Sequence, residues 1–260
     1  MLEIGNVYGH GFGPARVAEI EHAGFTVRPQ VSHYAGSQVC RFVDFEDGPS
    51  LELIEVADAK AYLDFVPLGM KPYAPGISVV VPDYAERELA DFERKYEEWG
   101  PYTLHVNYDG SADLSKPGWN YLNFERPVIR DTFLFLTRLD EPRPHRPLAP
   151  LHPNGAQAVV GLVFDLPEEG LQRLARLAET KLVQGAVDIN GVKVYSREAL
   201  DVMPRLGEKA FPLSAVVVRT EDLEYFAHGF EEAEVVSFRS RPAVRIRTND
   251  LSWDLLITGP

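Results

Sequence analysis

The chain predicts an α+β protein built from four βαβββ modules, paired into two cup-shaped domains. Three observations carry this reading. One order of events recurs four times along the 260 residues: an apolar strand, a short amphipathic helix, then two or three further strands. Ser50-Leu51-Glu52-Leu53-Ile54 and Ser252-Trp253-Asp254-Leu255-Leu256 each close a unit, and each sets a carboxylate inside an apolar strand. Between the second and third units, residues 140–154 carry five prolines and no hydrophobic period, the composition of a semi-rigid linker. The expected division is a domain over 1–140, a linker over 141–155 and a second domain over 156–260. In such a unit the helix covers one face of a small curved sheet, and the other face curls around a ligand once a second unit closes against it.

Each element follows from its local pattern. In the first unit, residues 2–8 are an apolar strand, and residues 11–14 break it with glycine and proline. A helix over 15–23 turns Val17 and Ile20 inward, and Gly24 ends it. Strands are expected over 25–31, 39–45 and 51–56, the last entered from the turn Glu46-Asp47-Gly48. The second unit opens with the β-branched run 77–81. Its helix, 86–99, aligns Leu89, Phe92, Tyr96 and Trp99 in one stripe. Strands at 102–108, 119–124 and 132–139 follow, with the polar stretch 109–118 long enough to act as a lid. The third unit has a strand at 156–166, a helix at 168–180 and a hairpin in which Asn190-Gly191 joins 186–189 to 192–196. The fourth has a strand at 213–219, a helix at 222–230 and strands at 234–239, 243–247 and 252–257.

Composition narrows the function classes. A net charge of −13 repels nucleic acid and anionic membrane surfaces, so a small-molecule ligand is the expected partner, with a homodimer left open. No window approaches the ~20 apolar residues of a membrane-spanning helix. The first residues carry no basic or apolar leader pattern, and Cys40 is the lone cysteine, so a reducing, cytoplasmic location is expected. A phosphate-binding glycine loop, a nucleophile elbow and a zinc-protease helix are all missing from the sequence.

The candidate site residues follow from strand parity. Glu52 alternates with Leu51 and Leu53, so it faces the cup if the leucines face the helix. A carboxylate there gains basicity from burial, which suits a general base. His33, with Tyr34 beside it, stands where a strand begins and can bind substrate or shuttle a proton. Thr103, His105 and Asn107 share one face and line either the cup or solvent, while only one of Asn120 and Asn123 can share that side. Tyr102, Tyr108, Trp119 and Tyr121 are available as aromatic walls. Arg245 and Arg247 either hold an anionic ligand, with Asp254 as counter-charge, or protect an edge strand, the reading preferred here. Cys40 reads as a buried, inert thiol, and His10 as a residue of a flexible loop.

Ala23-Gly24-Phe25, His33-Tyr34-Ala35-Gly36-Ser37, Phe45-Glu46-Asp47-Gly48 before Leu51-Glu52-Leu53-Ile54, and His152-Pro153-Asn154-Gly155-Ala156 occur in an order similar to glyoxalase-like proteins. The chain thus resembles the vicinal oxygen chelate superfamily, which includes glyoxalase I, bleomycin and fosfomycin resistance proteins and extradiol dioxygenases. The resemblance implies lyase, isomerase or ring-cleaving chemistry, or metal-free sequestering of a small molecule. It also implies a divalent metal held by a histidine in a unit's first strand and a glutamate in its last. Glu52 takes the glutamate position and Asp254 its equivalent in the fourth unit, but the four expected first strands contain no histidine. The N-terminal cup, holding Glu52, His33 and His105, is the expected active one.

Overall fold

The structure is a computed structural model, which describes residues 2–28, 32–34, 37–66, 70–81, 89–107, 118–139, 151–200, 209–229, 233–248 and 252–260. The opening apolar run forms β1 (Glu3–His10), and Pro14 then begins α1 (Pro14–His22), where a missing amide hydrogen costs nothing. Val17 and Ile20 are the buried side of α1. Gly24, at φ +78°, ends it: its amide returns to the Glu21 carbonyl, and the Phe25 amide to that of Ile20. The first unit is completed by β2 (Ser32–Tyr34), β3 (Gln38–Val43) and β4 (Ser50–Val56).

A helix not read from the sequence follows, α2 (Ala59–Phe65). Asp58 caps it by accepting from the amides of Lys60 and Ala61 at 2.9 and 3.1 Å. The second unit contains β5 (Gly76–Val80), α3 (Leu89–Lys95), β6 (Pro101–Asn107), β7 (Gly118–Phe124) and β8 (Phe133–Leu139). The third has β9 (Ala156–Phe164), α4 (Gln172–Leu177), β10 (Leu182–Val183), β11 (Ala186–Ile189) and β12 (Val192–Tyr195). The fourth has β13 (Leu213–Thr220), α5 (Leu223–Gly229), β14 (Glu234–Phe238), β15 (Arg241–Ile246) and β16 (Asp254–Thr258).

Two eight-stranded mixed sheets result, with the same strand order: β2-β3-β4-β1-β5-β8-β7-β6 and β10-β11-β12-β9-β13-β16-β15-β14. In each, two first strands meet antiparallel at the centre, as in Asn6 opposite Ser78. Each first strand also runs parallel to the last strand of its own unit, as in Tyr8 beside Glu52 and Ala215 beside Asp254. This is the α+β architecture of paired βαβββ modules, and each cup closes from two consecutive units of one chain.

One apolar cluster runs beneath both sheets, and Phe12 against Trp253 and Phe25 against Phe226 (ring centroids 5.6 and 5.9 Å) join the halves. His152 strengthens the join. The Thr26 amide donates to its Nδ1 and its Nε2 donates to the Asp44 carbonyl, both at 3.0 Å, while its ring packs between Phe25 and Phe45. One nitrogen accepting and one donating make this a neutral ring, and burial lowers its pKa accordingly, against the Asp44 carbonyl and carboxylate.

Some expected elements differ. Residues 25–28 are not strand, because the Thr26 amide is spent on His152 and only the Arg28 amide reaches β3, at the Phe42 carbonyl. The expected helix 168–180 is a 3₁₀ turn (Glu168–Leu171) continued by α4. The expected helix 86–99 is described only from Leu89, as α3 and a short 3₁₀ turn, Glu97–Trp99. The lid stretch 109–118 lies outside the described residues except Gly118, and the proline segment outside them up to residue 150.

Candidate functional site

Parity on β4 decides the site. Leu51 and Leu53 are fully buried in the shared core, so Glu52 and Ile54 face the concave side of the first sheet. The same alternation turns Asn6, Tyr8 and His10 of β1, Cys40 and Phe42 of β3, and Ser78 of β5 to that side. From the second unit come Tyr102, Trp119, Tyr121, Asn123, Phe133 and Phe135. Tyr62 of α2 and the segment following that helix complete a cavity of about 860 Å³. Pockets of this size hold drug-sized ligands, and the surface here is largely apolar, with aromatic rings prominent in it.

The polar groups cluster on the floor, across the four central strands. Asn6 Nδ2 donates to Glu52 Oε2 at 3.3 Å, and the Cys40 thiol is a second donor to the carboxylate. Burial raises the Glu52 pKa; the Cys40 and Asn6 bonds and the charge of Arg28 oppose the rise. Glu52 is half-buried, its uncovered part forming cavity wall. Arg28 is itself forked onto Asp44, at 2.8 and 2.7 Å. Burial, with Glu52 adding to it, pushes the Cys40 thiol far up, so Cys40 is a donor and not a nucleophile. Across the centre of the sheet, Ser78 Oγ and Thr137 Oγ1 share a hydrogen bond of 2.9 Å, and both residues line the cavity. Tyr8 extends over β5 and donates to the Phe133 carbonyl at 3.0 Å. Gly76 makes this possible, since a Cβ there would stand 2.2 Å from the Tyr8 hydroxyl and 2.1 Å from the Phe133 carbonyl oxygen.

His10 belongs to β1 and not to a flexible loop. It lies edge-on to Tyr62 and Tyr73 (centroids 5.4 and 6.0 Å), and those two rings stack at 5.0 Å. Burial pulls its pKa down to about 4 against a hydrogen bond to the Tyr73 backbone, so the ring is neutral at physiological pH. The Tyr73 amide donates to the Tyr62 hydroxyl at 2.8 Å, tying α2 to the chain entering β5.

Several expected site residues lie elsewhere. Thr103 donates to Glu93 of α3, and His105 Nδ1 pairs with Asn120 Oδ1 at 3.0 Å. Both are on the outer face of β6, because Tyr102 and Leu104 take the cavity side. Asn123 is the asparagine of β7 that faces the cavity. Backbone pairing places His33 opposite Val39, Tyr34 opposite Gln38 and Asn107 opposite Gly118, and their side chains lie outside the described ones. Asn6, Tyr8, Ser78 and Thr137 were missed, although Asn6, Tyr8 and His10 fall at the two-residue spacing of one strand face.

The second cup is filled. Val163, Ala215, Val217, Leu256, Tyr195 and Phe238 pack together on the side of β16 that also carries Asp254. Asp254, fully buried, accepts from Arg245 Nε at 2.9 Å and stands 2.6 Å from Lys209 Nζ. Glu234 takes Arg245 from the other side at 3.3 Å. β15 is an interior strand, so Arg245 is neither edge protection nor a ligand cation: its charge is already taken. Arg247 lies beyond the end of β15, 61% exposed and 3.8 Å from Glu234.

The resemblance implies a divalent metal, and the donor set does not fit one. Among the described side chains the cavity offers one carboxylate, the Asn6 amide bonded to it, a thiol held protonated, two hydroxyls bonded to each other and, farther along β1, the neutral His10 imidazole. Among the described residues no three His, Cys, Asp or Glu side chains converge as a metal site.

No family model and no curated protein matches the chain. Solved structures do. A hypothetical protein from Staphylococcus aureus aligns over 100% of both chains with a TM-score of 0.58 and 9% identity. A catechol 2,3-dioxygenase aligns over 99% of this chain and 92% of its own, with a TM-score of 0.52 and 12% identity. The 2,2',3-trihydroxybiphenyl 1,2-dioxygenase of dibenzofuran-degrading Sphingomonas wittichii gives 99%, 90%, 0.53 and 10%. At such identities the likeness is one of fold.

Proposed function

We propose that the N-terminal cup is the active site of an enzyme acting on a small oxygenated molecule, by lyase- or isomerase-type chemistry with Glu52 as general base. The observation that carries this is a carboxylate of raised pKa on the floor of an open cup with a largely apolar, aromatic-rich surface. Glu52 takes a proton from the carbon beside a carbonyl group. Of the Ser78–Thr137 hydroxyl pair, one donates to the other and the second keeps its own hydrogen for the oxygen on which charge develops. The proton then returns to a different carbon, or to a leaving group. No step is routed through a metal, because the floor does not supply the ligands, and ring cleavage by iron or manganese is not adopted for the same reason.

A second reading, binding without turnover, draws on the floor's mutual bonding (Asn6 with Glu52, Ser78 with Thr137) and on the aromatic walls. Deuterium exchange separates the two. The protein in heavy water, given a panel of ring-bearing ketones, is expected to exchange the hydrogens beside the carbonyl of at least one, read by NMR, and Glu52→Gln to abolish that exchange. Binding without exchange would favour sequestration, and exchange that survives Glu52→Gln would remove Glu52 as base.

A further inference from the structure

We infer that the occupant of this cup is an aromatic organic cation, its charge against Glu52 and its ring on the aromatic wall. The inference rests on the reading above only in placing a small molecule over Glu52, and it specifies the class of that molecule.

The charges of the cavity decide its sign. Among the described residues five charged side chains line it, and four of them, Asp64, Lys71, Glu125 and Arg126, are exposed at the rim. Lys71 is also held by Asp131 at 2.9 Å. Among the described residues, Glu52 is the carboxyl side chain that reaches the floor. Its bonded partners are neutral donors, Asn6 and Cys40, and the cation whose field reaches it, Arg28, is committed to Asp44. Among the described residues, the floor's carboxyl group therefore has no cation bonded to it. A carboxylate or phosphate placed there meets a carboxyl group and, among the described residues of the floor, no guanidinium or ammonium to receive it.

The walls point the same way. Phe42, Trp119, Tyr121, Phe133 and Phe135 are each half-buried, with their uncovered surface on the cavity. Tyr121 meets Phe135 edge-on at 4.7 Å, and Phe133 stands 5.1 Å from Phe135, a continuous ring surface. Aromatic faces carry negative quadrupole density, so a cation gains from them as well as from the carboxylate. A neutral ligand gains only the apolar contact. In the proton-transfer reading, a positive charge near the reacting carbon also makes its hydrogen more acidic, so one contact serves both ends.

The test compares phenyltrimethylammonium with tert-butylbenzene, the same shape without the charge, and with benzoate. Binding to the full chain is followed by tryptophan fluorescence and saturation-transfer NMR. The cation is expected to bind about tenfold or more tighter than its neutral isostere, and benzoate not to bind. In Glu52→Gln, with an unchanged circular dichroism spectrum, that preference is expected to shrink toward equality. Equal affinity of cation and isostere in the parent protein, or preference for benzoate, overturns the class while leaving a small-molecule cup. Failure of all three probes to bind overturns the cup reading and the class together. The parent-protein comparison stands whether or not the variant folds.

Discussion

Gly76→Ala tests how the floor is assembled. A Cβ at this position would lie 2.2 Å from the Tyr8 hydroxyl, 2.3 Å from its ring carbon Cζ and 2.1 Å from the Phe133 carbonyl oxygen. Real Cβ atoms essentially never come within 3.0 Å of a neighbour, so Tyr8 has to move by nearly an ångström and surrender its bond to Phe133. Forcing a methyl into packed surroundings costs about 1–3 kcal/mol, and losing a partly buried hydrogen bond about 0.5–1.5 kcal/mol. The sum is a loss of about 2–4 kcal/mol, read as a lowered urea midpoint at unchanged m-value. Tyr8→Phe alone forfeits only the hydrogen bond. In that background the Gly76→Ala cost is expected to fall by about 0.5–1.5 kcal/mol, because one obstruction and the bond it destroys are already gone. A Gly76→Ala protein within about 0.5 kcal/mol of the parent, or strictly additive effects, would refute this account of the Tyr8–Gly76–Phe133 contact.

Three further outcomes are expected. Asp254→Ala leaves Arg245 and Lys209 buried without their shared carboxylate and costs about 3–5 kcal/mol in denaturant titration, whereas Glu55→Ala, which breaks the more exposed Arg41 pair, costs under about 1 kcal/mol. His152 and His10 both have folded pKa values lowered from about 6.5, so the unfolded chain takes protons that the folded one refuses; stability present above about pH 6.5 is lost as pH falls, and His152→Gln flattens that dependence in unfolding curves at pH 7.5 and 5. Elemental mass spectrometry on protein purified without a tag or chelator, then incubated with iron, manganese, nickel or zinc, finds far less than one ion per chain; a stoichiometric ion lost in Glu52→Gln would contradict the donor-set argument.

Much of the fold was legible because it lies in local alternation. Glu52 between two core leucines announces the facing of β4, and Asn190-Gly191, at φ +49° and +87°, forms the turn its residue types require. Parity alone has two solutions, however. Thr103 and His105 were read as the cup row, but Tyr102 and Leu104 hold that side, and an aromatic cavity wall has the same sequence signature as a core. The strand was expected to end at Tyr8, and the glycines on either side of His10 made it look like a loop residue. In the fold Gly9 is the place where β1 runs against Ser252, whose hydroxyl would be 1.8 Å from any Cβ. Arg245 was misread for a third reason: whether β15 is edge or interior depends on strand order, which no window around it contains.

The Gly9 contact also brings the two halves together at one point. On one side of the junction, β1 runs through Asn6, Tyr8 and His10 to Phe12; on the other, Ser252 and Trp253 immediately precede Asp254 and its buried cations. The packed second half thus lies directly against the strand on which part of the open cup's floor stands. Only two residues of backbone separate the ion cluster at Asp254 from the Ser252 contact with the strand that carries His10, so the packing of one half and the floor of the other meet at a single pair of residues.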